Sequence, residues 1–332
     1  MTIRRTFLTD QKIAAARLAF RQMFIRGPED GDRFFEAYGP GNTIEVIESP
    51  FERFEDYELL LRTLKTDDPD KYEEIHKGTP FYFMAWTAFD LQNYERAVFY
   101  MDAAISEDIR KDPTKWLENP GSKFLTLSSL DDQVAKRITE KLRNEIEKEL
   151  NRFNTISKLE AITTEKLVEK FVKVLVQDKS KRSIITALYS FLLEYEDRFQ
   201  ELGLRSSEGG SIEPFLSHLF KGCQIFESLL KHLYPNKDNG QNTETLGDIF
   251  ETNDFNSDFP NFVKTKSTSL NDICKDIKSE DIQTAFNTTY NLRNTTSHNL
   301  VWDDIFDDAG NYTKFYQQIL NAVLFIIAKK YL

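Results

Sequence analysis

Apolar residues recur along most of the chain at the three- and four-residue spacing of amphipathic helices, and no segment alternates strongly as a strand does. The clearest example repeats every four residues with charged residues between: Val134, Ile138, Leu142, Ile146 and Leu150. A second long helix, Glu213 to Tyr234, has one apolar face and is ended by Pro235. The pattern predicts an all-α protein.

The same spacing predicts further helices between Gly- and Pro-rich breaks. They lie at 11–26, 51–64, 81–92, 94–108, 163–178, 182–203, 246–250, 281–297 and 312–332. Breaks at Asn119-Pro120-Gly121 and Gly209-Gly210 divide the chain into three parts. We expect a helical N-terminal region at 1–118, a helical connector at 119–208 and a C-terminal bundle of four to five helices at 209–332.

The helix pair at 81–108 has a repeat-like pattern. Five positions of its second helix match the preferred offsets of a tetratricopeptide repeat: Tyr94, Ala97, Met101, Ala104 and Asp108. The first helix fits less well, because the usual Gly after a Leu is absent. The segment resembles one such repeat, which implies a surface for a protein partner. The alternative is an ordinary antiparallel helix pair.

Composition narrows the class of protein. Phe is abundant, at 27 residues, and Gly is scarce, at 13, which favours helices over short strands and turns. A net charge of -11 argues against a broad basic surface for long nucleic acid, but it leaves room for a local phosphate site. Cys223 and Cys274 lie in apolar helical surroundings and are expected to be buried thiols in a reducing cytosol.

The termini contain no targeting signal that we recognise. Met1 to Phe7 has two arginines without an apolar core behind them, and the longest apolar run, Ala322 to Ala328, is too short to cross a bilayer. We therefore expect a cytoplasmic protein with no membrane association.

The strongest candidate chemistry is the string Arg293-Asn294-Thr295-Thr296-Ser297-His298. An arginine is a permanent cation suited to phosphate, and a histidine exchanges a proton near neutral pH. RNA supplies its own nucleophile, the 2′-OH, so no metal and no cofactor are required. One arginine and one histidine make a sparse site, whereas a two-fold homodimer would bring two of each together.

On an ideal helix, residues 281–298 form two stripes. The stripe expected to face the core comprises Ile282, Ala285, Phe286, Thr289, Leu292 and Thr296. Asn287, Asn291, Asn294 and His298 form a second stripe on roughly the opposite face. Asn is a poor helix former, so this row has a better rationale if it contacts something. Asn287 and Asn291, with Lys231, are therefore candidate substrate-binding residues.

This string resembles the motif of HEPN domains, an Arg followed after four to six residues by a His, with a polar residue just after the Arg. Residues 220–231 resemble the long first helix of that family, and 245–250 resemble the short segment that follows it. The resemblance implies an all-helical domain that dimerises and often acts as a metal-independent endoribonuclease. Arg293 and His298 would be the catalytic pair, and Asn294 the accessory polar residue.

HEPN domains are common in prokaryotic toxin, phage-defence and CRISPR-associated systems, and a helical-repeat region before one resembles a known arrangement. No Rossmann-like sensor domain precedes this one, which disfavours a cyclic-nucleotide-activated CRISPR effector. Two hypotheses follow. One is a homodimeric HEPN ribonuclease acting on RNA as a toxin or defence effector. The other is a non-catalytic interaction protein that dimerises through its HEPN-like domain and binds a partner through its N-terminal helices.

Other ionisable residues have simpler interpretations. His76 is expected at the surface, His218 as a partly buried structural residue, and His232 near a helix C-terminus. Glu227 and Lys231, four residues apart, are expected to pair on a helix surface, and either could also support the motif. The acidic patch of Asp303, Asp304, Asp307 and Asp308 lacks the spacing of a calcium loop, which favours a solvated turn or cap.

Overall fold

The computed structural model describes residues 50–128, 133–204, 211–296 and 304–332. Regular structure in these ranges is helical, apart from one bridge between Asn236 and Asn242, which confirms the all-α prediction. None of the described helices is both long and apolar enough to cross a bilayer. The chain divides into an N-terminal unit, Met1–Thr139, and a C-terminal unit, Glu140–Leu332.

The N-terminal unit is built on a helical hairpin. Its described helices are α1 (Pro50–Asp67), α2 (Pro69–Glu74), α3 (Gly78–Asp90), α4 (Tyr94–Lys111) and α5 (Pro120–Leu125), with a 3-10 turn at Trp116–Glu118. The hairpin consists of α3 and α4, and α1 packs against α3. The sequence Asn119-Pro120-Gly121, where we predicted a boundary, leads into α5 within this unit.

The hairpin explains the repeat-like positions. Tyr94, Ala97, Met101, Ala104 and Asp108 are all buried. The turn lacks the usual Gly, and Gln92 takes the left-handed conformation instead, with φ 57°. The helix pair is therefore confirmed, whereas a stack of repeats stays a prediction. His76 is not at the surface as expected: its side chain is 13% exposed, and its Nε2 lies 3.0 Å from Oδ1 of Asp108.

The C-terminal unit holds the longest described helices. In chain order they are α6 (Gln133–Ile156, which crosses the division), α7 (Thr164–Leu167), α8 (Lys173–Gln177), α9 (Arg182–Gly203), α10 (Glu213–Leu233), α11 (Leu246–Phe250), α12 (Asn253–Asp258), α13 (Leu270–Asp276), α14 (Ile282–Thr296) and α15 (Ala309–Lys330). A π-helical turn, Val168–Val172, joins α7 to α8. The short helices α12 and α13 were not predicted, and side chains of Thr252 and Ser269 cap their first turns.

The predicted division at Gly209-Gly210 does not separate two structural units. Residues 140–203, expected to form a connector, belong to the same unit as 211–332. Phe153 of α6 contacts Phe325 of α15 with ring centroids 4.9 Å apart, and Tyr195 of α9 stacks on Tyr316 at 3.9 Å. Aromatic packing thus joins the supposed connector to the C-terminal bundle.

The core of this unit surrounds α10, which packs against α9, α14 and α15. Gly222 lets α9 and α15 approach α10 closely, because a Cβ at this position would lie 2.6 Å from the Phe191 ring and 2.7 Å from Ile319. His218, on the same helix, is buried as a structural residue. Its Nδ1 is 2.6 Å from the Tyr312 hydroxyl, and its Nε2 is 2.8 Å from the Phe191 carbonyl oxygen.

Candidate functional site

The orientation of α14 follows from its apolar stripe. Ala285, Phe286, Thr289 and Leu292 are buried, as the helical projection predicted. With these residues against the core, Arg293 extends from one flank of α14 toward α10 and remains 37% exposed. The packing of the stripe therefore decides which neighbouring helix the arginine meets.

Arg293 meets a carboxylate on α10. Its Nε donates to Oε2 of Glu227 at 2.9 Å, and its Nη2 lies 3.5 Å from Oε1. Lys231, one turn further along α10, approaches the same carboxylate, with Nζ 2.8 Å from Oε1. The predicted Glu227–Lys231 pair is confirmed, and the carboxylate also holds the arginine of the motif. Glu227 is 8% exposed, so the contact is made from a buried acceptor.

The two cations keep Glu227 ionised. Burial by itself raises the pKa of this carboxyl, but hydrogen bonds from Lys231 and Arg293, and their positive charges, outweigh it. The pKa of Glu227 therefore lies below its ordinary value. The carboxylate is fixed as an acceptor at neutral pH, which gives the flexible Arg293 side chain one preferred position.

A cavity of about 480 Å³ opens beside this ion-pair cluster. Residues of α9, α10 and Arg293 of α14 line it. Among them are three cationic side chains, Lys221, Lys231 and Arg293, and one carboxylate, Glu227. Lys221 is held by Glu194 of α9, with 2.8 Å between Nζ and Oε1. The cavity is thus locally basic in a protein whose net charge is -11.

Several lining residues were not among the predicted site residues. Lys221, Gln224 and Ser228 line the cavity together with Lys231. They recur at three- and four-residue spacing along α10, opposite buried positions such as Leu219 and Phe226. This polar row could have been found in the sequence. The contribution of Ser183 from α9 could not, because it depends on how the two helices pack.

Asn287 and Asn291, the predicted substrate-binding amides of α14, lie away from Arg293 and Lys231. Both are buried, at 8% and 4% exposure, so these two amides contact other parts of the chain. The Asn287 Oδ1 accepts from the Thr265 amide at 2.7 Å, and the Asn291 Oδ1 accepts from the Ser267 amide at 3.1 Å. They line a separate cavity of about 260 Å³, from which Arg293 and Lys231 are absent.

These amides hold the extended segment 263–267 along α14. Gln283 adds a third pair, since its Oε1 accepts from the Val263 amide at 2.9 Å and its Nε2 donates to the Val263 carbonyl. Four helical residues rise about 6 Å and two extended residues about 6.6 Å, so amides at i, i+4 and i+8 match alternate residues of the segment. This pairing explains Asn287 and Asn291, whose amides satisfy backbone groups of the segment.

The remaining motif residues lie at the end of α14. Asn294 is half-buried, and its Oδ1 is 3.4 Å from Nη1 of Arg293, which is a long contact for a hydrogen bond. His298 lies outside the described residues, and so does Ser297. The structure therefore brings Arg293 together with Glu227, Lys231 and Asn294, and places Asn287 and Asn291 at another cavity.

The other candidates keep structural roles. Asp308 caps α15 by accepting from the Gly310 amide at 2.8 Å, which confirms the cap interpretation for this residue; Asp303 lies outside the described residues. The described part of the chain contains no group of three or more His, Cys, Asp and Glu placed to hold a metal ion. Both cysteines are free thiols, Cys223 buried and Cys274 only partly so.

Comparison of the chain with protein-family models, with curated proteins and with solved structures finds no match in any of the three.

Proposed function

We propose that the protein is a metal-independent endoribonuclease of the HEPN type. The observation that carries this proposal is the basic cavity, where Arg293 is held by Glu227 beside Lys231, five residues before His298 in the sequence. A fixed guanidinium is suited to a phosphodiester, because it donates parallel hydrogen bonds to phosphate oxygens and stabilises charge that develops there.

The reaction would use groups of the chain and of RNA alone. His298 would accept the proton of the 2′-OH, or protonate the departing 5′-oxygen, and Arg293 would stabilise the charged phosphorus intermediate or transition state. Asn294 would orient these groups. The 2′-oxygen forms a bond to phosphorus as the bond to the 5′-oxygen breaks, which leaves a 2′,3′-cyclic phosphate and a 5′-hydroxyl.

The motif supplies one arginine and one histidine from each chain, which supports the proposal of a homodimer. In a two-fold arrangement, one histidine would act as base and the other as acid, and two arginines would share the phosphate charge. A role as a toxin or phage-defence effector belongs to the same proposal.

The direct test incubates the purified chain with unstructured RNA in the presence of EDTA. We expect cleavage with 2′,3′-cyclic phosphate ends, and a loss of at least a hundredfold in rate for His298→Ala, in line with a general acid–base residue. His232→Ala is the matched control, because His232 is not among the residues that line the cavity, and it should retain the wild-type rate. Cleavage that persists in His298→Ala refutes the proposal.

The dimer is tested on the same preparations. Sedimentation should give about twice the 38.8 kDa of one chain, with the same value for His298→Ala. A monomer that still cleaves RNA with full dependence on His298 would refute the composite site while leaving the activity in place.

A second candidate function is that of a non-catalytic interaction protein, which is the alternative hypothesis from the sequence. The observation that favours it is an exposed aromatic side chain on the helical hairpin: Phe99 of α4 is 63% exposed. If this function is right, Phe99→Ser abolishes the biological effect of the protein in cells. The Arg293→Ala, His298→Ala double variant keeps that effect. The opposite result supports the ribonuclease.

A further inference from the structure

The basic cavity has features that specify how a ligand is held. Its three cations stand on two helices of the same unit, two of them on well-separated turns of α10 and the third on α14. Lys221 and Lys231 are ten residues apart on α10, about 15 Å along the axis, and Arg293 approaches from α14. Backbone positions this far apart leave room for more than one phosphate group along the row of cations.

Carboxylates hold the three cations in place but do not neutralise all of their positive charge. Glu194 fixes Lys221, and Glu227 fixes both Lys231 and Arg293. The three cations share two carboxylates, Glu194 and Glu227, which leaves one excess positive charge. Because the partners are fixed, the cationic groups lose less freedom when a phosphate binds than unpaired surface lysines do.

None of the described residues that line the cavity has an aromatic side chain. Its apolar members are Ile184, Ala187 and Ile225, and its neutral polar members include Gln224 and Ser228. Proteins that hold single strands through their bases stack them on aromatic rings, at about 1–3 kcal/mol per base. Hydroxyl and amide groups among cations are suited to phosphate oxygens and ribose hydroxyls, which are the same in every nucleotide.

We infer that this cavity binds the phosphate–ribose backbone of single-stranded RNA and does not read its bases. The inference rests on the proposed ribonuclease function for the identity of the polymer. It assigns Lys221, Gln224 and Ser228 to substrate binding next to Lys231 and Arg293. Recognition of a cleavage sequence, where it occurs, would then come from elsewhere in the chain or from the RNA structure.

The test measures binding with cleavage switched off. The full-length His298→Ala chain is titrated against fluorescein-labelled oligo(U), oligo(A) and oligo(C) of equal length, followed by fluorescence anisotropy. We expect the three Kd values to agree within about threefold. For about two neutralised phosphates on a single strand, affinity should fall roughly sevenfold between 50 and 200 mM salt.

The site itself is tested by placing a negative charge in the cavity. Gln224 is exposed on the surface of α10, so Gln224→Glu should not disturb folding, and we expect it to weaken binding at least tenfold. Gln317→Glu, on α15 and outside the lining, makes the same change in net charge and should stay within about twofold. Equal effects of the two variants would overturn the inference.

Two further measurements separate the alternatives. Homopolymers that differ by more than about tenfold in Kd would show base reading and defeat the inference, even with cleavage intact. Inorganic phosphate that displaces RNA at micromolar concentration would identify a small-anion site instead. Base-independent binding by a wild-type chain that cleaves nothing would refute the proposed activity and leave the backbone site standing.

Discussion

The Glu227→Gln substitution tests the electrostatic argument at the site. It keeps the size of the side chain and removes the charge that Arg293 and Lys231 share. In the native protein one carboxylate takes hydrogen bonds of 2.9 Å from Arg293 Nε and 2.8 Å from Lys231 Nζ. In the variant an amide oxygen can accept one of these, while two cations lose their common counter-charge.

The expected cost follows from burial. Breaking a fully buried ion pair costs about 3–5 kcal/mol, whereas a surface pair contributes about 0–1 kcal/mol. Glu227 is buried, but the side chains of Arg293 and Lys231 are 37% and 40% exposed, so water screens the cations. We therefore expect Glu227→Gln to lower the free energy of unfolding by about 1–2 kcal/mol at pH 7.

The pH dependence provides a second check. The pKa of Glu227 is lowered in the folded protein, so its stabilising contribution is complete above its ordinary value of 4.5. That contribution is lost as the pH falls through the lowered folded pKa. The difference between wild type and Glu227→Gln should therefore be full at pH 7 and vanish in acid.

The assay is urea unfolding followed by circular dichroism at pH 7 and in acid, with a fit that allows each unit its own transition. Glu196→Gln on α9 is the control, because Glu196 is exposed and should stay within about 0.5 kcal/mol of wild type. A stability equal to that of wild type at pH 7, or a difference that persists in acid, refutes the argument.

Three other substitutions have defined outcomes. Gly222→Ala places a Cβ 2.6 Å from a core ring and should cost about 1–3 kcal/mol in thermal unfolding, whereas Gly203→Ala, with nothing within 4 Å, should not destabilise; equal melting temperatures contradict the close-approach argument. Asn287→Ala removes amide contacts to 263–267, so backbone amide hydrogen exchange in this segment should accelerate at least tenfold. Unchanged protection would contradict the pairing of the α14 amides with this segment. Burial lowers the pKa of His218 to about 3, so the folded protein should lose about 2 kcal/mol between pH 7 and 5 through this residue; His218→Gln should remove that slope, and a slope unaffected by it would contradict neutral burial.

Helix positions in the C-terminal unit were largely predictable from periodicity. The long helix expected at 213–234 is α10 at Glu213–Leu233, and the one expected at 281–297 is α14 at Ile282–Thr296. These segments are amphipathic, so the apolar repeat marks both the helix and its buried face. The short helices α12 and α13 were missed, because two turns carry too few apolar residues to show a period.

The candidate site was only partly predictable. Arg293 and Lys231 share a cavity, and the Glu227–Lys231 spacing correctly indicated a pair. The projection of α14 correctly put Asn287 and Asn291 on one flank, but it could not show that another part of the chain covers that flank. A helical wheel describes one helix, whereas exposure depends on everything that packs around it.

The sequence by itself determined that this protein is helical and which face of each long helix is buried, since both follow from local spacing of apolar residues. The tertiary structure decided which flanks of α14 meet other groups: Arg293 contacts Glu227, sixty-six positions earlier in the chain, and Asn287 and Asn291 pair with 263–267. It also joined residues 140–203 to the C-terminal bundle. Such contacts depend on the packing of distant segments, which no local pattern encodes.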